Sequence, residues 1–331
     1  MSSNNRFNLI WNLVKILIAV VLVWYVFSQT DLNEFLSLRE RISVSYLVAT
    51  FVLYAILTLL KAFKYQILIQ QNTQYLRVLN VVVLQNAISN FFATSVGVAS
   101  YLAMLKVEEN VKVGKSSLVF LIIKIGDLFA VWLVMLVFGM LYWDQISIVR
   151  QAFILAELLI GLGLVAFFGV LFFRSFFVFS FSRWMERLGL MRFSLVRQVV
   201  QAVQAFAEMD QKVVARTVFI AFGLSLFYYF FTLAWQVVSM YAFNFHTEVW
   251  VIMFVSGILQ LFSMLPINIF GGIGITEATA FYLYPLFGAD PNELSLILLG
   301  WRILYYLTNL FVLVYLPVYA FFIGHRIKPK E

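Results

Sequence analysis

Apolar blocks recur along this chain, at about 9–27, 44–60, 78–105, 117–143, 151–173, 217–241, 249–287 and 294–323. That recurrence constrains the fold more than any short motif. A helix rises about 1.5 Å per residue, so about 20 residues cross the roughly 30 Å hydrocarbon core of a bilayer. Inside that core every backbone N–H and C=O must be bonded within the structure, which favours helices. The chain is therefore read as an all-α polytopic membrane protein. Of its 331 residues 63% are hydrophobic and 12% charged, against about 45–50% and about 25% in soluble domains. No stretch leaves room for a separate soluble domain, so 1–331 is taken as a single transmembrane domain.

Composition removes several kinds of chemistry. The chain has no cysteine, so disulfides, thiolate metal sites and cysteine nucleophiles are excluded. The two histidines, His246 and His325, fall in loops and make no metal cluster, so no metal and no cofactor is expected. The net charge of +7 is read as the cytoplasmic excess of Lys and Arg in a membrane protein, not as a nucleic-acid signal. The first block, Leu9 to Phe27, follows Arg6 and contains Lys15. It is long for a signal-peptide core and no small-x-small cleavage site follows, so it is expected to be a retained span.

The connectors give the orientation. Segment 61–77 holds Lys61, Lys64 and Arg77 without an acid, and 106–115 holds Lys106, Lys112 and Lys115 against Glu108 and Glu109. Segment 174–216 has seven basic and three acidic residues, and the tail carries Arg326, Lys328 and Lys330. Connectors 28–43, 144–150, 242–248 and 288–293 have only Arg39, Arg41 and Arg150 as basic residues. The positive-inside rule then places the first group and both termini in the cytoplasm.

Two blocks must therefore enter and leave by one side. Both flanks of 78–105 are cytoplasmic, and both flanks of 249–287 are external. Each block is also interrupted, by "SNFFATSVG" near 89–97 and by "PINIFGGIG". Their arms are short for full spans, so both are expected to be re-entrant helical hairpins. The order of two spans, hairpin, span occurs in 1–143 and again, inverted, in 151–323. The expected architecture is an inverted repeat of about six full spans plus two re-entrant hairpins, a transporter signature. Small echoes agree with it: "KAFKY" precedes the first hairpin and "YAFNF" the second. Segment 174–216 is expected to form cytoplasmic amphipathic helices, because Leu195, Val196, Val199, Val200, Val203 and Phe206 recur at helical spacing.

Ionisable residues within spans cost about 2.5–3.5 kcal/mol each on insertion scales and mark function by default. Lys124 lies seven residues into its block, with Asp127 at i+3 on the same face, where the two can pair. Arg302 enters the last span from the opposite side and is the repeat counterpart of Lys124. Glu277 follows the glycine-rich turn, in the first turn of a returning half-helix. There it is read either as a dipole-favoured anion or as a proton-accepting or substrate-ordering carboxylate. Gly271, Gly272 and Gly274 permit tight turning and expose N–H groups where a half-helix begins, a place that binds anions. The bland reading is that the turn needs them. For Arg302 and Lys124 the bland readings are bonds to loop carbonyls and snorkelling. Glu157 has no obvious partner in the sequence. Asn86, Asn90 and Asn309 can bond between helices as structural glue, and Asn90 is also kept as a site candidate.

The layout and "PINIFGGIGITE" (266–277) resemble the lysylphosphatidylglycerol synthetase transmembrane family, which includes the flippase portion of the multiple-peptide-resistance proteins. Pro266, Gly271, Gly272, Gly274 and Glu277 match its second-hairpin pattern. "IIKIGDLFA" (122–130) resembles the span after the first hairpin, with Lys124 and Ile123 where the family often has Arg and Glu. Arg302, Pro317 and Gly324 fit the final span. The first hairpin departs from the pattern: Gly97 remains, but Val98 stands where a Glu is common and Tyr101 where an Arg is. The resemblance covers nearly the whole chain and implies lipid translocation or lipid-linked glycan work.

The reading is a flippase or scramblase-like lipid transporter of the plasma or inner membrane, and not an enzyme. An anionic or phosphate-bearing headgroup is expected to pass between two hairpins. Its candidate residues are Arg302, Lys124, Gly271, Gly272, Gly274, Glu277, Asp127, Asn90, Gly97 and Tyr101. The expected partner is an anionic or lipid-linked membrane lipid, with a second copy of the chain or a synthase beside it, and no nucleic acid. Three alternatives stay open: a secondary transporter of a small soluble anion, a membrane-embedded transferase on a lipid-linked substrate, and a non-transporting partner or scaffold.

Overall fold

The computed structural model describes residues 42–69, 73–109, 111, 113–172, 211–264, 272 and 274–319, together with positions 183, 186, 187 and 321. The first apolar block, most of connector 174–216, Pro266, Gly271 and the tail lie outside the described residues. The described residues are overwhelmingly helical: α1 (Val44–Ile69), α2 (Tyr75–Phe91), α3 (Thr94–Glu109), α4 (Val113–Leu141), α5 (Arg150–Phe172), α6 (Gln211–Tyr241), α7 (Val249–Ser263), α8 (Ile275–Leu286), α9 (Pro291–Leu313) and the short α10 (Tyr315–Tyr319). Five helical stretches among them are long and apolar enough to cross a membrane: Val44–Ile69, Lys115–Leu141, Arg150–Gly169, Val214–Tyr241 and Pro291–Tyr319.

Three boundaries differ from the sequence expectation. α1 runs on through "KAFKY" to Ile69, so Lys61 and Lys64 are helical residues and not part of a loop. The long straight-chain side chains there keep helix propensity high. α6 starts at Gln211, so the last residues of the expected connector are the first turns of a span. The last span is interrupted at Val314, between α9 and α10. Pro317 has no N–H to give to the carbonyl four residues back, which is Leu313, the last residue of α9.

Both interrupted blocks are helix pairs. α2 and α3 are separated by Phe92 and Ala93 only and pack closely on each other. Gly97 makes this possible: a Cβ there would stand 1.8 Å from Ser89 Oγ and 3.0 Å from the Gln85 carbonyl oxygen. α7 and α8 also pack together, and α9 packs against both α8 and α2.

The chain divides into two compact units. The first takes α1 through Gln66, α2, α3, α6 from Tyr228, and α7 to α10. Its core is built on Tyr54, Leu57, Trp235, Ile252, Val255, Tyr284, Ile297 and Trp301, among others. Hydroxyls on its apolar helices are satisfied locally: Thr50 donates to Tyr46 O at 2.8 Å and Thr58 to Tyr54 O at 3.0 Å, the usual i−4 arrangement. The second unit takes α4, α5 and α6 through Phe227. Trp132 Nε1 donates to Glu157 O at 3.0 Å, and Phe222 stacks on Phe129 at 4.4 Å. α5 exposes Leu155, Leu158, Leu159, Leu162 and Val165. In water that face would invite aggregation; in a bilayer it faces acyl chains.

Candidate functional site

The charged centre of the first unit forms where α8 begins. Gly272 and Gly274 have φ of 84° and 86°, a left-handed backbone that costs other L-residues about 1–2 kcal/mol. Gly274 caps α8. Three residues on, Glu277 turns back, and its Oε2 accepts from Gly274 N–H at 2.7 Å. This is the carboxylate half of a capping box; the cap residue has no side chain to return the bond. A carboxylate at this position also faces the positive end of the helix dipole.

α9 brings in the counter-charge. Arg302 Nε donates to Glu277 Oε1, and Arg302 Nη2 donates to Thr276 Oγ1 at 2.8 Å. Thr276 in turn donates to Gly272 O at 2.5 Å. Glu277 is 1% exposed and Arg302 6%, so this is a buried ion pair and not a rim contact. The rings of Trp301, Tyr305 and Tyr306 lie 5.4, 5.5 and 5.9 Å from the guanidinium carbon. They give the cation an aromatic wall. Trp301 is held by its own Nε1 bond to Ser239 Oγ at 3.0 Å.

The same face of α9 leads to the first hairpin. One turn beyond Tyr305, Asn309 Nδ2 donates to Tyr305 O at 2.8 Å. Asn309 Oδ1 accepts from Asn90 Nδ2 at 2.6 Å and from Tyr54 Oη at 2.5 Å. Asn90 sits at the end of α2, next to the hairpin turn. The two hairpins are thus linked through α9, by an ion pair on one side and an amide cluster on the other. Phe91 stacks on Tyr306 at 5.4 Å beside this link.

Of the residues singled out in the sequence, Arg302, Glu277, Gly272, Gly274 and Asn90 belong to this one assembly. Gly271 lies outside the described residues. Gly97 serves the α2–α3 contact, and Tyr101 is fully buried with its ring 4.9 Å from that of Tyr65. Lys124 and Asp127 lie in the second unit. The pairing expected between them gives way to separate contacts: Asp127 Oδ1 accepts from Ser225 Oγ at 2.9 Å, and Lys124 Nζ lies 5.7 Å from the Phe120 ring centre. A bond to α6 draws the carboxylate away from its neighbour on α4. Glu157 lines an apolar groove of about 390 Å³ with Trp132, Trp143 and Phe153. Its Oε2 is buried with no hydrogen-bond partner among the described residues.

Sequence reasoning missed Tyr54, Thr276 and Lys61. Lys61 Nζ donates to Asn86 Oδ1 at 2.5 Å, one turn from Asn90 on α2. The direction of a helical side chain, back toward the helix N-terminus, was the available signal. It aims Lys61 toward the middle of its span. Thr276 was legible only as a neighbour of Glu277.

The comparisons come to one family. A family model described as the lysylphosphatidylglycerol synthase TM region matches residues 12–312. No curated protein and no solved structure matches the chain. The chain belongs to the lysylphosphatidylglycerol synthase transmembrane-region family and is an integral membrane protein with multiple apolar helices.

Proposed function

We propose that this member of the family is a lipid transporter, flippase or scramblase-like, that moves an anionic or phosphate-bearing headgroup past its two hairpins. In this reading α2–α3 and α7–α8 are re-entrant from opposite faces of the plasma or inner membrane. They belong to two inverted halves, 1–143 and 151–323, and both termini are cytoplasmic. The acyl chains stay outside in the bilayer.

One observation carries the reading: the buried Arg302–Glu277 pair at the start of α8, linked through Asn309 to Asn90 beside the first hairpin turn. A charged pair buried within a transmembrane bundle is costly unless it has work there. Its donors (a guanidinium fork, a backbone N–H at a helix start and a hydroxyl) are those that recognise phosphate oxygens. The family supports a membrane setting; the headgroup assignment rests on the donor chemistry.

Burial of the pair favours a second reading. A seat this closed suits a small soluble anion as well as a headgroup. The test uses purified protein in liposomes and short-chain, headgroup-labelled lipids, anionic and zwitterionic, with and without a pH gradient. The transporter reading expects protein-dependent movement that favours the anionic lipid and is lost in Arg302→Ala. If no lipid moves faster than in protein-free vesicles under any gradient, the lipid reading falls, and anion uptake into the same vesicles tests the second.

A further inference from the structure

Two donors that suit a phosphate oxygen at this site already hold Glu277, and a third is given to the residue beside it. Gly274 N–H is given to Oε2, Arg302 Nε to Oε1, and another Arg302 bond runs to Thr276, next to Glu277 in sequence. We infer that Glu277 is the resident occupant of the anion seat, and that a phosphodiester anion is taken up in exchange for it, together with one proton. This rests on the proposal that the site binds an anionic headgroup, and it adds how the seat is emptied.

The charge balance requires the proton. Arg302 and Glu277 together are neutral. A monoanion placed beside them would leave one unpaired negative charge in a buried setting, which costs several kcal/mol. It would also set two anions on one group of donors, where like charge favours protonation of the carboxylate. With a proton on Glu277 the sum returns to zero: the guanidinium faces the phosphodiester, and the neutral carboxyl can swing from Gly274 and donate its O–H. No bond other than O–H forms or breaks, and the proton comes from the solvent with the ligand.

Glu277 is the carboxylate among the described residues of the site, and so the group that the exchange requires to take the proton. Among the described residues, the charged and titratable groups facing it are Arg302, Tyr305 and Tyr306, all on α9. α7, packed against α8, carries no titratable side chain, and α8 adds only Tyr282 and Tyr284. Arginine and tyrosine ordinarily change charge far above neutral pH. Ligand affinity must then rise as pH falls, and the coupling is mutual, since bound ligand also favours the proton.

The experiment is equilibrium binding to the full chain in phosphatidylcholine nanodiscs, from about pH 5 to about pH 8. The probes are short-chain phosphatidylglycerol and dimethyl phosphate, which share a phosphodiester whose charge is constant over that range. For one linked proton the wild type should gain up to about tenfold in affinity per pH unit lowered. Glu277→Gln, which keeps the shape without the charge, should bind at the wild type's low-pH affinity at every pH. Binding of the wild type that ignores pH overturns the exchange. So does Glu277→Gln binding more weakly than wild type throughout, or neither probe binding at all. If the variant does not fold, the wild-type pH profile alone decides. Dimethyl phosphate binding as tightly as the lipid, with the pH dependence intact, keeps the exchange and removes the lipid. Lipid movement in vesicles with pH-independent binding keeps the transporter and removes the exchange.

Discussion

The two helix pairs of the first unit, α2–α3 and α7–α8, use opposite means to turn the chain. In α2–α3 the turn is only Phe92 and Ala93, and Gly97 lets the arms approach until a single methyl would not fit. Its polar side chains near the turn, Ser89, Asn90, Thr94 and Ser95, are uncharged. In α7–α8 the connection runs from 264 to 274, includes two left-handed glycines, and ends on a capped helix start that faces a carboxylate and a guanidinium. A tight turn consumes its own backbone groups and offers only side chains. A longer turn ending at a helix N-terminus leaves N–H donors aimed at one point. The second hairpin therefore holds the charge, and the first supplies a closely packed, uncharged neighbour.

Arg302→Ala should break the comparison with the largest effect, because it strands Glu277 in a buried setting. Removal of one partner of such a pair costs about 3–5 kcal/mol, read as a large loss of melting temperature in detergent. Adding Glu277→Gln should recover much of that stability without recovering lipid movement. If Arg302→Ala melts like wild type, the pair is not the anchor of the second hairpin.

Gly97→Ala attacks the first hairpin by volume alone. Overpacking of this kind costs about 1–3 kcal/mol, and Ser89→Gly added to it should return part of the loss by removing the atoms at 1.8 and 2.9 Å. Thermal melts of the single and double variants measure this. Full tolerance of the alanine would mean the arms separate freely, and the contrast between the hairpins would lose its basis.

The smallest effect is expected at the link. Asn309→Leu removes the acceptor shared by Asn90 and Tyr54. Interhelical polar bonds in membranes average about 0.6 kcal/mol and reach about 1.7, so a loss of about 1–2 kcal/mol is expected. Transport should fall more than stability does, since the variant leaves both hairpins intact and uncouples them. An equal fall in both would make Asn309 plain helix glue.

Much of the fold was legible because the signal is local. Apolar runs marked all five described spans, and the breaks near 89–97 and in the glycine-rich stretch fell where the helices do stop. Glu277 three residues after Gly274 was readable as a first-turn carboxylate from spacing alone. The boundaries at Lys61 and Gln211 were misjudged because charge was taken to mark a connector. Long basic side chains continue a helix well, and their heads can reach a polar partner several ångströms away along it.

The sequence by itself determined that the chain lies in a membrane, that it is helical, where two of its blocks break, and that Glu277 and Arg302 fall within apolar blocks. Those follow from apolarity, helical period and the conformational freedom of glycine, which are properties of neighbouring residues. Only the tertiary structure decided which of those residues meet. Arg302 and Glu277 are 25 residues apart, and Asn90 and Asn309 are 219 apart. Lys124 and Asp127, three apart on one helix, take different partners. Partner choice depends on how each helix is rotated about its axis and on which neighbour packs against it. Contacts spread over the whole bundle set that rotation, and no window of sequence contains them.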